Sequence, residues 1–154
     1  MTSWKQALKE GLVTGSLASM LSTAYLVFAG DRRGMPAAPT NAVSHWIFGN
    51  RALRQDEASL RYTATGYFIH HACSVFWGVV HAKAWGGRPE AKRPVPAIAG
   101  AFVTAGVANL VDYTLTPKRL RPGFEHRLGK PEMANVYACF AIGLAIGSML
   151  LRKR

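Results

Sequence analysis

Residues 62–82 run for 21 positions without Asp, Glu, Lys or Arg, and Arg61 and Lys83 close the stretch at its two ends. The hydrocarbon core of a bilayer is about 30 Å thick, and ~20 apolar residues of helix are needed to cross it. The stretch therefore has the length and the lack of charge of a membrane span. We predict that it crosses a membrane as a helix.

Apolar blocks of similar length recur along the chain, at about 11–30, 62–82, 95–115 and 133–151, and Asp112 is their one charged residue. A helix on the surface of a soluble bundle would show charges on its outer face every few residues. We therefore predict an all-α fold, an integral membrane four-helix bundle that forms a single transmembrane domain over residues 1–154. The first block is longer than a signal-peptide core, so we expect it to remain as an uncleaved span.

The first loop, residues 31–61, contains a proline-spaced segment followed by an apolar one. Pro36 and Pro39 favour an extended chain. Thr40 or Asn41 can cap a helix that continues through Phe48. We predict a short helix in this loop that lies in the membrane interface. The alternative is a loop that packs on the end of the bundle.

The chain carries a net charge of +11, with 19 basic and 8 acidic residues. In a soluble domain this excess would indicate nucleic acid. Here the basic residues flank the predicted spans, so we expect contact with membrane lipids and no nucleic acid. The positive charge is almost equally divided between the two sides, and the acidic residues of the first loop favour cytoplasmic termini. The predicted headgroup contacts are Arg32, Arg33, Lys118, Arg119 and Arg121.

Small residues recur at intervals of four in three of the predicted spans. Such stripes allow two helix backbones to approach closely in lipid. Three of them offer more close-packing surface than one small bundle needs. We therefore predict an accessory or structural subunit that packs against other membrane helices, within a respiratory or photosynthetic complex or by self-association. The packing residues are Gly11, Gly15, Ser19, Gly100, Thr104, Gly143 and Gly147.

Asp112 is the only carboxylate within a predicted span. A charge in the bilayer centre costs ~2.5–3.5 kcal/mol on insertion scales, so Asp112 must be neutral, paired or close to the interface. Paired with His70 or His71, it would suit a small transporter or a proton-conducting protein, which is the alternative function. Asn109 and Asn135 are the other strongly polar side chains in the spans, and both can bond a histidine of a neighbouring helix.

Three histidines, His70, His71 and His81, lie in the second predicted span. A third hypothesis for the function is that these histidines bind haem or copper. A b-type haem usually takes axial histidines from two helices, and only this span offers any. We therefore predict no cofactor, and hydrogen bonds across helices instead. The sequence has no acyl-transfer, P-loop, dinucleotide or zinc-hydrolase motif, so we predict no enzyme, no catalytic residue and no metal site.

Several features follow one another along the chain, and they are Arg33–Pro39, Gly66, His70–His71 with Ser74, Ile98–Ala101, and Asp112 with Thr116–Pro117. Their order resembles the YagU-like small inner-membrane proteins of bacteria, over most of the chain. The resemblance implies a multi-pass protein of the bacterial inner (cytoplasmic) membrane. It implies no catalytic residue.

Overall fold

A computed structural model describes residues 2–152, and in that part of the chain every regular element is helical. The α-helices are α1 (Trp4–Asp31), α2 (Ala38–Val43), α3 (His45–Phe48), α4 (Thr65–His81), α5 (Pro94–Leu110) and α6 (Lys130–Leu150). Four 3₁₀ segments are described, at Gly49–Arg54, Glu90–Lys92, Lys118–Leu120 and Phe124–His126. Three π-helical segments are described, at Leu60–Ala64, Ala82–Gly86 and Val111–Leu115. The all-α prediction is confirmed.

Three helices of the described chain are long and apolar enough to cross a membrane, Trp4–Asp31, Pro94–Leu115 and Lys130–Leu150, with 28, 22 and 21 residues. They contain or closely match the predicted blocks 11–30, 95–115 and 133–151. The first helix begins at Trp4, seven positions before its predicted span, because residues 4–10 continue the helix. By their length and composition, these three helices indicate a membrane protein.

The predicted span 62–82 is helical, but it is not among those three helices. Its α-helical part, α4, is 17 residues long, with a π-helical segment at each end. His70, His71 and His81 lie within it and make it less apolar than the other three. A fourth membrane crossing therefore stays a prediction.

The described chain clusters into two compact units. The first unit comprises residues 2–22, 71–108 and 137–152, and the second comprises residues 23–70 and 109–136. The single domain stays a prediction. Small side chains dominate the core of the first unit, which consists of Ala18, Ala101, Ala105, Phe140, Ala141, Leu144 and Ala145, with Trp77 packed against it. Because alanine adds little bulk, the helices of this unit can pack closely.

In the second unit, the first loop contains the predicted short helix, divided into α2 and α3. Helix α2 begins at Ala38 and has Pro39 in its first turn, where the fixed φ of proline suits a helix and its missing N–H leaves no bond unmade. Neither Thr40 nor Asn41 is the cap. All six residues of α2 are buried, which supports the alternative of a packed loop, and a position in the membrane interface stays a prediction.

Asn41 explains part of this burial. Its amide group donates hydrogen bonds to the carbonyl oxygens of Gln55 and Glu57, at 3.0 and 2.9 Å. Its carbonyl oxygen accepts a hydrogen bond from the Thr63 hydroxyl at 2.6 Å. One fully buried side chain therefore holds the end of the first loop against α2.

Candidate functional site

His81 is the most buried histidine of the described chain, with 1% of its surface exposed. Its Nδ1 lies 2.8 Å from the Thr104 hydroxyl oxygen, and its Nε2 lies 3.3 Å from the Ser148 hydroxyl oxygen. The Thr104 hydroxyl donates its own proton to the carbonyl oxygen of Gly100 at 2.9 Å. His81 Nδ1–H must therefore donate to Thr104, and Nε2 accepts from Ser148.

Both ring nitrogens of His81 are thus engaged in the first unit. Binding iron or copper at His81 would break one of these two hydrogen bonds. The contacts are of the kind predicted for the histidines, bonds to polar side chains of neighbouring helices. Among residues 2–152, no group of three or more His, Cys, Asp or Glu side chains is arranged to hold a metal ion. Haem or copper at His70 or His71 stays a prediction.

The other polar residues of the predicted spans are dispersed over the two units. His70 belongs to the second unit, where its ring meets that of Phe124 edge to face, with centroids 6.4 Å apart. Asp112 also belongs to the second unit and is half-buried in a π-helical segment. His71 is half-buried in the first unit. Pairing of Asp112 with a histidine, and with it the transporter hypothesis, stays a prediction.

The two asparagines occupy different environments in the second unit. Asn109 is half-buried near the end of α5. Asn135 is exposed, and its amide group donates to the Tyr25 hydroxyl oxygen at 2.8 Å. The bond of Asn135 thus joins α6 to the last turns of α1 through a tyrosine, whereas the sequence had suggested a histidine.

The glycines of α1 pack directly on the backbone of α4. A Cβ atom added to Gly15 would lie 2.5 Å from Val75 Cα and 2.6 Å from the Ser74 carbonyl oxygen. A Cβ atom on Gly78 would lie 2.6 Å from the Gly11 carbonyl oxygen. All three distances are far inside van der Waals contact, so only glycine fits at these positions. The small residues at one end of α1 are therefore covered by α4.

The glycines of α6 pack on a neighbouring face of α1. A Cβ atom on Gly147 would lie 2.7 Å from Thr14 Cα, and one on Gly143 would lie 2.6 Å from the Ala18 nitrogen. Ser19, on the same helix, is fully buried. Outside this contact, Gly100 of α5 is covered by the Trp85 indole ring. Helices of the first unit therefore cover the predicted stripes themselves. These stripes do not provide the additional packing surface that we had inferred for a partner.

A different face of α5 is left open. A Cβ atom on Gly106 would meet no atom within 4 Å. Phe102, Val103 and Val107, on the same side of the helix, are 46%, 66% and 46% exposed. The apolar window of Pro94–Leu115 is only 22% buried, against 39% and 44% for the windows of Trp4–Asp31 and Lys130–Leu150. Of the three membrane-length helices, Pro94–Leu115 is thus the least buried.

Several of the predicted headgroup residues contact groups of the protein itself. Arg33 donates to Glu132 at 2.9 Å and to the Arg127 carbonyl oxygen at 3.2 Å. Arg121 donates to the Tyr113 carbonyl oxygen at 2.9 Å. Arg32 lies over the Phe28 ring, 6.0 Å from its centroid. Arg33 and Arg121 thus hold the second unit together.

A pocket of about 410 Å³ lies in the second unit, lined by His45, Asn50, Leu53, Arg54, Lys118, Arg119 and His126. No carboxylate lines it among the described residues. Arg119 donates to the carbonyl oxygens of His45 and Trp46, which fixes its guanidinium group at the wall. We call this feature the basic pocket. Its cations come from segments that are far apart in sequence, so the pattern of residues did not reveal it.

His45 is the buried member of the basic pocket, with 4% of its surface exposed. Its Nδ1 lies 2.9 Å from the Ala42 carbonyl oxygen. Burial lowers the pKa of His45 from its ordinary value of 6.5, although the Ala42 hydrogen bond and the Glu125 carboxylate act in the opposite direction. Nδ1–H therefore donates to Ala42, and the neutral ring leaves Nε2 as its remaining polar atom.

Glu125 lies near the basic pocket, where its carboxylate acts on His45. Its Oε2 accepts a hydrogen bond from the Gly123 nitrogen at 2.7 Å, and its Oε1 lies 3.9 Å from His126 Nε2. Gly123 has a φ of 96°, a left-handed conformation that favours glycine. Glu125 is thus occupied with the turn before it, which leaves the lining cations without a carboxylate in the pocket.

Comparison of the chain with protein-family models, with curated proteins and with solved structures gives no match. The resemblance to YagU-like proteins, and the inner-membrane location that it implies, therefore stay predictions.

Proposed function

We propose that this chain is an accessory subunit of a larger membrane complex, and that it docks on a partner helix through the open face of α5. The observation that carries this proposal is Gly106, which is uncovered between exposed Phe102, Val103 and Val107. The respiratory or photosynthetic nature of the complex stays a prediction.

The shape of this face favours a partner helix over lipid. Exposed apolar side chains are satisfied by lipid tails as well as by protein, so they alone do not require a partner. A glycine among large side chains differs, because it leaves a notch that lets another helix backbone approach closely. Every other glycine of α1, α4, α5 and α6 is covered within the chain, so Gly106 is the glycine of these helices that remains available for a close helix contact.

The test is native electrophoresis of gently solubilised membranes, with mass-spectrometric identification of what migrates with the chain. We expect the wild-type chain to migrate with a larger assembly and Gly106→Ile to release it as a free chain. Ala24→Ile adds similar bulk at an exposed position of α1 and should leave the assembly intact. A wild-type chain that runs as a monodisperse monomer would overturn the proposal. A dimer of this chain alone would identify the partner as a second copy.

A further inference from the structure

The basic pocket contains cations that the protein does not neutralise. Arg54 and Lys118 are exposed, and within residues 2–152 neither makes an ion pair or a hydrogen bond through its side chain. Arg119 has five N–H donors, so its bonds to two carbonyl oxygens leave donors for a ligand. Three permanent positive charges therefore line one cavity.

The position of the basic pocket along the chain relates it to a membrane surface. Pro94–Leu115 is one of the helices able to cross a membrane, and Lys118 and Arg119 follow its end by three and four residues. Cations directly after a span lie at the depth of the lipid headgroups. The lining residues are thus placed where lipid phosphate groups are concentrated.

We propose that the basic pocket binds the phosphate group of an anionic lipid headgroup. Guanidinium groups pair with phosphate oxygens through two parallel hydrogen bonds, and an ammonium group adds a point charge. Arg54, Lys118 and Arg119 supply these groups, and the amide of Asn50 adds a neutral donor. The volume of about 410 Å³ is within the range of small-molecule sites, so it exceeds what one phosphate group needs and admits the adjoining glycerol.

The pocket differs from the basic residues that merely flank a span. Arg33 and Arg121 are committed to groups of the protein itself, and they lie outside the lining. Two histidines, His45 and His126, are part of the lining and were not predicted from the sequence as headgroup contacts. The basic pocket is therefore a bounded site with a defined ligand chemistry, and it is independent of the docking face on α5.

The experiment uses the full chain, purified in a neutral detergent and titrated with short-chain phosphatidic acid, with short-chain phosphatidylcholine and with inorganic phosphate. Binding is followed by tryptophan fluorescence, since the Trp46 indole N–H bonds the carbonyl oxygen of Arg121 in the same unit, and by phosphorus NMR of the ligand. We expect saturable binding of phosphatidic acid, and binding at least about tenfold weaker for phosphatidylcholine and for inorganic phosphate.

Two variants and two matched controls locate the site. Arg54→Gln and Lys118→Gln should each weaken binding about tenfold, since each removes a charge-assisted bond to phosphate. The controls are Arg51→Gln and Lys130→Gln. Arg51 lies in the same 3₁₀ segment as Arg54, Lys130 lies at an exposed helix start, and both are outside the lining. These controls should bind as the wild type does. Circular dichroism and gel filtration establish that all four variants are folded.

The outcomes separate the alternatives. Loss of affinity in the two pocket variants, but not in the controls, supports the proposal. Equal affinity in all four variants overturns it, since the charge would then act without a defined site. Inorganic phosphate that binds as tightly as phosphatidic acid and displaces it would overturn the lipid assignment and identify free phosphate as the ligand.

Discussion

Lys92 Nζ lies 2.6 Å from Glu10 Oε2 in the first unit, and the two side chains are only 8% and 12% exposed. The Gln6 amide group also donates to Glu10, at 2.8 Å. A buried ion pair of this kind is costly to break from one side, because the remaining charge is left in a poorly solvated position.

Lys92→Met should therefore lower the free energy of unfolding by roughly 3 kcal/mol. The double variant Lys92→Met with Glu10→Gln should recover most of that loss, because no unpaired charge remains. Thermal unfolding in mild detergent measures both. The more exposed pair of Arg33 with Glu132, at 43% and 30% exposure, is the control, and Glu132→Gln should cost clearly less than Lys92→Met. Equal losses for the buried and the exposed pair would contradict this account.

The bond directions around His81 lead to a second prediction. Thr104→Val leaves His81 Nδ1–H without its acceptor, and a buried unsatisfied donor costs about 1–3 kcal/mol. Ser148→Ala removes the longer bond, in which His81 Nε2 is the acceptor. Because only an acceptor loses its partner, this variant should cost less, about 0.5–1.5 kcal/mol. The measurement is the thermal unfolding midpoint of each variant. A larger loss for Ser148→Ala would show that the proton lies on the other ring nitrogen.

His45 gives a pH dependence of stability. Its pKa is lowered in the folded chain, chiefly by burial, with Arg119 and His126 adding to the effect and Ala42 and Glu125 opposing it. The unfolded chain therefore binds more protons between the lowered pKa and about 6.5, so stability falls as the pH drops through that window.

His45→Gln should reduce this loss, since glutamine does not titrate, while His126→Gln, at an exposed position, should change it less. Thermal midpoints between pH 7.5 and 5 measure the difference between the two variants. An unchanged slope in His45→Gln would show that other groups carry the acid sensitivity. Arg54 and Lys118 line the same pocket as His45, and salt screens their charges. The midpoints are therefore compared at one fixed salt concentration.

Glycine substitutions should separate folding from docking. Gly15→Ala places a Cβ atom against the backbone of α4 and should destabilise the chain by about 1–3 kcal/mol, since the helices must move apart. Gly106→Ala meets open space and should leave the stability unchanged or slightly raised, because alanine favours a helix. Thermal unfolding of the two variants in detergent provides the comparison. Similar losses in both would contradict the different environments assigned to these glycines.

Of the four predicted spans, three correspond to helices long and apolar enough to cross a membrane, because the absence of charge over some 20 residues is a property of the sequence itself. Local patterns were less informative in the first loop. Pro39 suggested an extended chain, yet it starts a helix, and Asn41 suggested a cap, yet its amide group binds the end of the same loop. Both residue types suit either role, and tertiary contacts decide between them.

The candidate sites depended even more on the packing. Spacing identified the small residues of α1 and α6, but it could not tell which were covered inside the chain. It gave Gly106 no special place, although Gly106 is the one left open on α5. The basic pocket joins Arg54 to Lys118 across 64 positions of sequence. No local periodicity connects such residues, so the pocket required the structure.

Photo-crosslinking in the intact membrane tests the central proposal, docking through the open face of α5, most directly. A photoreactive residue replaces Val103 on that face, and in a second variant it replaces Leu12, which is similarly exposed on α1. We predict a crosslink from position 103 to another polypeptide, absent when Gly106→Ile is added, and none from position 12. Crosslinks to lipid alone from position 103, or equal crosslinks to protein from both positions, would contradict the account.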